Sequence, residues 1–529
     1  MKLFLLYNAT FYTLNPAQPT VQALAVWDGK IVAAGTVEEA ETALPAGAPR
    51  INLNGLTVLP GLTDSHLHLQ HYALALQYVD CETPTRAECL LRVQHKAKST
   101  PPQNWIRGHG WNQNVWEEGF GNAHLLDQVA PHHPVYLTAK SLHAAWVNTL
   151  ALQAAGIDRN TPDPPDGRIQ RDESGNPTGI LFESAMGLVE KVIPEATLPQ
   201  IRQAIEDAQP HLWGMGLTGV HDFDRRQCFM ALQELEQAGR LKLRVVKSIP
   251  LENLNEAVEV GLRSGFGSQW LRIGSLKCFA DGALGPQTAA MLQPYEGNAS
   301  ESGILFLDSE EIVEIGQRAA ASGLSLAIHA IGDRANHEVL KAYAQLRQFE
   351  KQEARPHLRH RIEHVQVLHP DHLSLLAQYD IIASMQPIHA TSDMDIADRH
   401  WGKRSRFAYA FQTLAGLGTR LTFGSDAPVE SPNPFWGIHA AVTRQRHSGY
   451  PTPDGWYPQE RLSLQQALEA YTINPAYTAG RERELGKLQP GYDADLIVLE
   501  EDPFHTPPER LYELRPLRTM IAGEWVWER

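Results

Sequence analysis

Apolar and polar positions alternate with a period of two through much of residues 1–59, the pattern of strands with one buried face. In "ALAVWDGKIVAAG" the pair Asp28-Gly29 separates two apolar runs, a two-residue hairpin signal because both turn positions require positive φ. "KLQPGYDADLIVLE" and "LRTMIAGEWVWER" repeat the style near the other end, with Ala522-Gly523 at the turn. The two ends are expected to form one small β-sandwich domain from residues 1–59 and 485–529.

Between the ends, short apolar runs alternate with helical patterns, as in βα units around a parallel sheet. Eight such runs stand out: "LTVLPGLTDSH" from Leu56, "LTGVHDF" from Leu217, "LKLRVVKSIP" from Leu241, "LRIGSLKCFADG" from Leu271, "LSLAIHAIGD" from Leu324, "LRHRIEHVQ" from Leu358, "IIASMQP" from Ile381 and "RLTFGSDAP" from Arg420. Eight is the number that closes a TIM-type barrel, so the pattern predicts an α/β fold with a (β/α)8 barrel over residues 60–484. Asp308 with Glu311, and Ser463 with Gln466, have the spacing of capping boxes and mark helix starts. The gap between the first and second runs far exceeds one helix and predicts an inserted α+β lobe at about 72–199, with its own hairpin signal in "GRIQRDESGNPTGILFES".

Composition narrows the partners. With 529 residues and 43% hydrophobic content, the chain can bury a large core. A net charge of -15 without any Lys/Arg-rich run argues against nucleic acid or an anionic membrane as partner. No stretch approaches the roughly 18 apolar residues of a membrane span, and the apolar run in "MKLFLLYNATF" is too short for a signal-peptide core. Four cysteines, Cys81, Cys89, Cys228 and Cys278, form no CxxC pair, so no disulfide framework is expected. A cytoplasmic protein acting on a small molecule, with homo-oligomerisation open, fits these bounds.

The chemistry begins in "LPGLTDSHLHL", where His66 and His68 end an apolar run. Positions i and i+2 share one face of a strand, so both imidazoles can reach one ion. Lys277, His329, His364 and Asp426 lie at or near the ends of later runs, where the active sites of such barrels are built. A lone histidine there is more often a hydrogen-bonded structural residue, but the joint pattern points to a metal site. Imidazole plus carboxylate suits Zn²⁺, with Mn²⁺, Fe²⁺ or Co²⁺ as alternatives. An ammonium beside divalent cations is repelled, so Lys277 either takes up CO₂ as a bridging carbamate or serves structure by pairing with Asp281. Trp111, His143, Glu183, His221, Asp281, Gln386, His389 and Trp401 stand in loops or motif blocks able to line a cleft. No GxSxG elbow, phosphate loop or GxGxxG at a strand–helix junction is evident.

At these residues the chain resembles the amidohydrolase superfamily, and within it the branch that includes N-substituted formamide deformylase. The blocks "PGLTDSHLH", "GHGWNQ", "SLHAAWVN", "TGILFESA", "GLTGVHD", "LKCFADGALG", "HAIGDRAN", "IEHVQ", "SMQPIHATSD" and "FGSDAPVESPNP" carry the resemblance nearly end to end. It implies a distorted barrel with a β-sandwich from the termini and a metal centre held by His66, His68, Lys277 as a carbamylated bridge, His329, His364 and Asp426. Glu183 is an alternative bridge or substrate contact. A metal-activated hydroxide would then cleave an amide-type C–N bond, with Asp426 handling the proton. One rival is a mononuclear ring deaminase, which usually carries Glu where this chain has Gly332. Another is a non-catalytic regulatory or binding protein, which would be expected to have lost some of the six ligands.

Overall fold

The computed structural model describes residues 3–141 and 143–529. Its centre is an eight-stranded, all-parallel sheet. In chain order the strands are Leu62–Leu67 (β1), Leu217–Asp222 (β2), Arg244–Pro250 (β3), Leu271–Phe279 (β4), Leu326–Ala330 (β5), Arg361–His364 (β6), Ile382–Met385 (β7) and Leu421–Phe423 (β8). Nearly every residue in them is buried, because helices cover the outside and side chains fill the inside. That double burial explains why they read as continuous apolar runs.

The eighth strand meets the first just beyond its own end. Asp426 N–H donates to His66 O at 2.6 Å, His68 N–H donates to Ala427 O at 2.8 Å, and Leu67 bridges Ala427 in parallel register. Asp64 fastens this seam from the β1 side. Its buried carboxylate accepts the Ser425 hydroxyl at 2.6 Å and the Ser425 and His66 amides at 3.1 and 3.0 Å. Gly424 has no room for a side chain there, since a Cβ would lie 2.5 Å from His66 N.

The run from Leu56, expected as one strand, is two. Arg50–Pro60 belongs to a different sheet from β1. The break falls at Gly61, where a Cβ would lie 2.4 Å from Thr218 Cγ2, so only glycine passes this crossing. Arg50–Pro60 pairs in parallel with Leu3–Tyr12 and antiparallel with Leu496–Leu499. Both ends of the chain thereby join one seven-stranded sheet. Two tight hairpins in it turn at Asp28-Gly29 (φ 51° and 81°) and Ala522-Gly523 (φ 48° and 72°), the doubly positive φ that such turns need.

Both capping boxes are present, at the starts of Ser309–Ala321 and Leu464–Ala470. Residues 73–200 form a separate compact unit with its own six-stranded sheet. Alternate residues feed its two faces: Leu137 and Trp146 pack into one cluster, Tyr136 and Ala145 into another. All four cysteines are free and buried. Among the described residues no helix is long and apolar enough to cross a membrane.

Candidate metal centre

At the C-terminal ends of the strands, side chains remote in sequence converge. The ring of His66 lies 4.9 Å from that of His364, which lies 4.5 Å from that of His329. The Oδ1 atom of Asp426 faces both members of the HxH pair, 3.5 Å from His66 Nε2 and 3.4 Å from His68 Nε2. Two bonds of about 2.0–2.1 Å at a near-tetrahedral angle separate donor atoms by about 3.4 Å. The observed spacings are long for good hydrogen bonds and fit donors around a shared cation. His66, His364 and Asp426 each bring a ligand atom within 4.8 Å of the others.

The second nitrogen of each ring is held. His66 Nδ1 is 2.6 Å from buried Glu363, His68 Nδ1 is 3.1 Å from Asp224, and His364 Nδ1 is 2.8 Å from Gln386 Oε1. Each contact places a proton on Nδ1 and turns Nε2 toward the centre, the orientation that outer partners give metal-binding histidines. His329 is reversed: its Nε2 donates to Gly282 O at 2.9 Å, leaving Nδ1 with the free lone pair. Glu363 is itself anchored by Arg361, whose Nη2 donates to it at 2.8 Å and to Ser65 O at 2.6 Å.

Burial and the nearby Lys277 charge lower His66 to about 4 and His329 to about 3, so both rings are neutral, as ligation requires. Burial opposes ionisation of Glu363 and Asp426, yet Arg361 beside the first and His66 beside the second hold them well below the usual carboxylate range. His68 departs from the other two imidazoles. Burial acts against its charge, but hydrogen bonds to Asp224 and Asp426 raise it to about 9. Below that pH the metal-free ring carries a proton which a cation must displace. Zn²⁺ affinity is therefore expected to rise as pH increases toward about 9. Calorimetric titration near neutral pH in buffers of different ionisation enthalpy should show proton release; identical heats in all buffers would remove His68 from the ligand set.

Two buried lysines inside the barrel differ sharply. Lys247 on β3 is ion-paired to Asp222 at 2.9 Å and donates to Ser248 O at 3.1 Å, and Asp222 helps to keep it charged despite burial. Lys277 on β4 makes no hydrogen bond or ion pair among the described residues. Its Nζ lies 4.6 Å from the Phe223 ring, which packs on His66, and 4.9 Å from the Phe279 ring, which packs on His329. Burial lowers it to about 8, which leaves part of the amine population unprotonated near neutral pH.

The candidate cleft residues divide. His389 reaches the centre, with Nε2 3.5 Å from Asp426 Oδ2, and Gln386 orients His364. Asp281 is a clamp: its carboxylate accepts the amides of Ala290, Ile331 and Gly332 at 2.8, 3.0 and 2.8 Å, tying the loop after β4 to the end of β5. His221 is buried in the barrel interior, its Nδ1 accepting from Arg361 at 2.9 Å. Trp111 and Trp401 are both fully buried; Trp111 Nε1 donates to Leu137 O at 2.8 Å within the lobe's core, and its ring borders a cavity shared with Asn112, Lys140 and Ser141. His143 and Glu183 pair at 3.0 Å on the lobe's surface. Sequence reasoning missed Glu363, Asp224 and Arg361, although "RIEH" places Arg361 and Glu363 on one strand face, the available signal.

Residues 50–527 match the model of the amidohydrolase family. The chain is 33% identical over 535 residues to the amidohydrolase-like protein YtcJ of Bacillus subtilis (strain 168), covering 99% of each chain. It is 29% identical over 546 residues to N-substituted formamide deformylase of Arthrobacter pascens, covering 100% of this chain and 99% of that one. An uncharacterized metal-dependent hydrolase from Pyrococcus furiosus superposes with a TM-score of 0.77 at 32% identity, covering 95% of this chain and 99% of that one.

Proposed function

The chain belongs to the amidohydrolase family, a metal-dependent hydrolase of C–N bonds, and from that premise we propose that it cleaves the amide bond of a small N-acyl or N-formyl amine. The observation that carries this reading is the two-sided placement of Asp426. One carboxylate oxygen faces the HxH pair and the other faces His389. A single group can thus help to hold a cation and handle a proton.

His66, His68 and Asp426 would hold one divalent ion, and His329 and His364 a second, with Lys277 as a carbamate between them. The bound cation, Zn²⁺ or alternatively Mn²⁺, Fe²⁺ or Co²⁺, supplies a Lewis acid for the amide carbonyl and lowers the pKa of a nearby water. Asp426 accepts the proton that this water loses on attacking the carbonyl carbon. Burial opposes charge on His389, but hydrogen bonds to Asp426 and Glu430 raise it to about 10, so a cation stands 3.5 Å from Asp426 Oδ2 and positions that carboxylate. Return of the proton to nitrogen breaks the C–N bond to give the acid and the amine, the acid's remaining proton passes to the amine so that they leave as carboxylate and ammonium, and no covalent enzyme intermediate is required. The formamide deformylase relative supports this bond type.

Gly332 favours amide hydrolysis over ring deamination. A Cβ there would lie 1.9 Å from Ala290 O, so the glutamate usual in deaminases at this position has no space without moving the loop. The test is a hydrolysis screen of the purified protein, supplied with Zn²⁺ or Mn²⁺ and bicarbonate, against N-formyl and N-acetyl amines, acyl amino acids and cyclic ureides. Equimolar amine and carboxylate are expected from at least one N-acyl or N-formyl amine. Ammonia from aminated rings with no amide cleavage would replace this reading with deamination.

A further inference from the structure

At the opposite end of the barrel, a cavity of about 330 Å³ opens beside the N-terminal ends of β4, β5 and β6. Its polar side chains are Ser264, Arg272, Ser325, His357, Arg359 and Thr478. Among the described residues no carboxylate lines it, although acidic residues outnumber basic ones 61 to 46 in the chain. Two of the basic groups are already matched. Arg359 grips Glu482 with two nitrogens at 2.8 Å each, and His357 Nε2 meets Asp380 at 2.9 Å.

Arg272 is different. Its Nη2 donates to Gly265 O at 2.6 Å, its Nε is buried without any acceptor, and no carboxylate lies within ion-pair distance among the described residues. A guanidinium presents five donors in a planar fork suited to oxyanions, and a partly buried donor without a partner costs stability. Arg481 adds positive potential nearby, partly offset by Glu484. We propose that this base cavity binds a small oxyanion, a carboxylate or phosphate, on the Arg272 guanidinium. The site is separate from the metal centre, because Arg272 begins and Lys277 nearly ends the same strand, about 16 Å apart at strand rise.

Calorimetric titration of the metal-loaded protein with inorganic phosphate, and separately with acetate, tests the proposal. At least one anion is expected to fill a saturable site that persists in His66→Ala and weakens at least about tenfold in Arg272→Gln. Ala479→Glu adds a carboxylate to the same lining and is expected to weaken it similarly, which decides the matter if Arg272→Gln does not fold. Which anion responds identifies the ligand class. The proposal is overturned if neither anion binds, or if affinity is unchanged in the folded variants. Because the readout is binding, the result is independent of whether the amide screen succeeds.

Discussion

Asp426→Asn is expected to lower kcat on an N-acyl amine by about 10²–10⁴-fold, the range that positioned proton transfer contributes, while circular dichroism shows the fold intact. Asparagine preserves the volume but removes the charge that faces His66 and His68 at 3.5 and 3.4 Å and the oxygen that faces His389 at 3.5 Å. Metal analysis of the same sample separates the two duties of this side chain. Loss of metal together with rate marks a ligand; metal retained with the rate lost marks the proton carrier. A variant within a few-fold of wild type, fully loaded, would show that the carboxylate performs neither role.

The barrel was legible because parallel strands buried on both faces leave continuous apolar runs. The HxH pair could be placed because residues two apart in extended chain share a face, although β1 has a register shift between Asp64 and Leu67 and ends one residue before His68. The same rule fails for His364. On β6 it would send Arg361 and Glu363 inward together and His364 away from them, yet His364 reaches the centre because its backbone adopts φ 76°. Asp426 likewise lies beyond β8 at φ 59°. Such conformations cost on the order of 1 kcal/mol or more for a side chain with a Cβ and persist where the surroundings enforce them. No periodicity announces them.

Histidines divided along another line that composition does not expose. His360 stands four residues before His364 in the same segment, yet it is wholly buried, accepting the Leu326 amide at Nδ1 and meeting Glu350 at 2.9 Å through Nε2. Both of its nitrogens are consumed by structure, whereas His364 keeps one free. His221 ended on the structural side because the guanidinium that meets it, Arg361, comes from a strand 140 residues away. The distinction depends on which partner occupies the second nitrogen, and that partner is brought in by the closed sheet.

Lys277→Ala is expected to reduce kcat by about 10²-fold or more, given what comparable supporting groups at metal and oxyanion sites contribute. Formate, acetate or propionate should restore part of the rate, since a short carboxylate can occupy the space and charge of a lysine carbamate. The expectation rests on the contrast between the two interior lysines. Lys247 has Asp222 at 2.9 Å and Ser248 O at 3.1 Å, so Lys247→Met should strand a buried carboxylate at a cost of about 3–5 kcal/mol, seen in unfolding experiments and not repaired by added acid. Lys277 has no such partner among the described residues, faces the Phe223 and Phe279 rings, and is lowered by burial to about 8, which favours the free amine that reacts with CO₂. Its removal should therefore cost activity and metal content far more than stability. Full activity in Lys277→Ala without added carboxylate would reject the bridge. A folded but inactive variant that no carboxylate rescues would favour the amine itself as the required group.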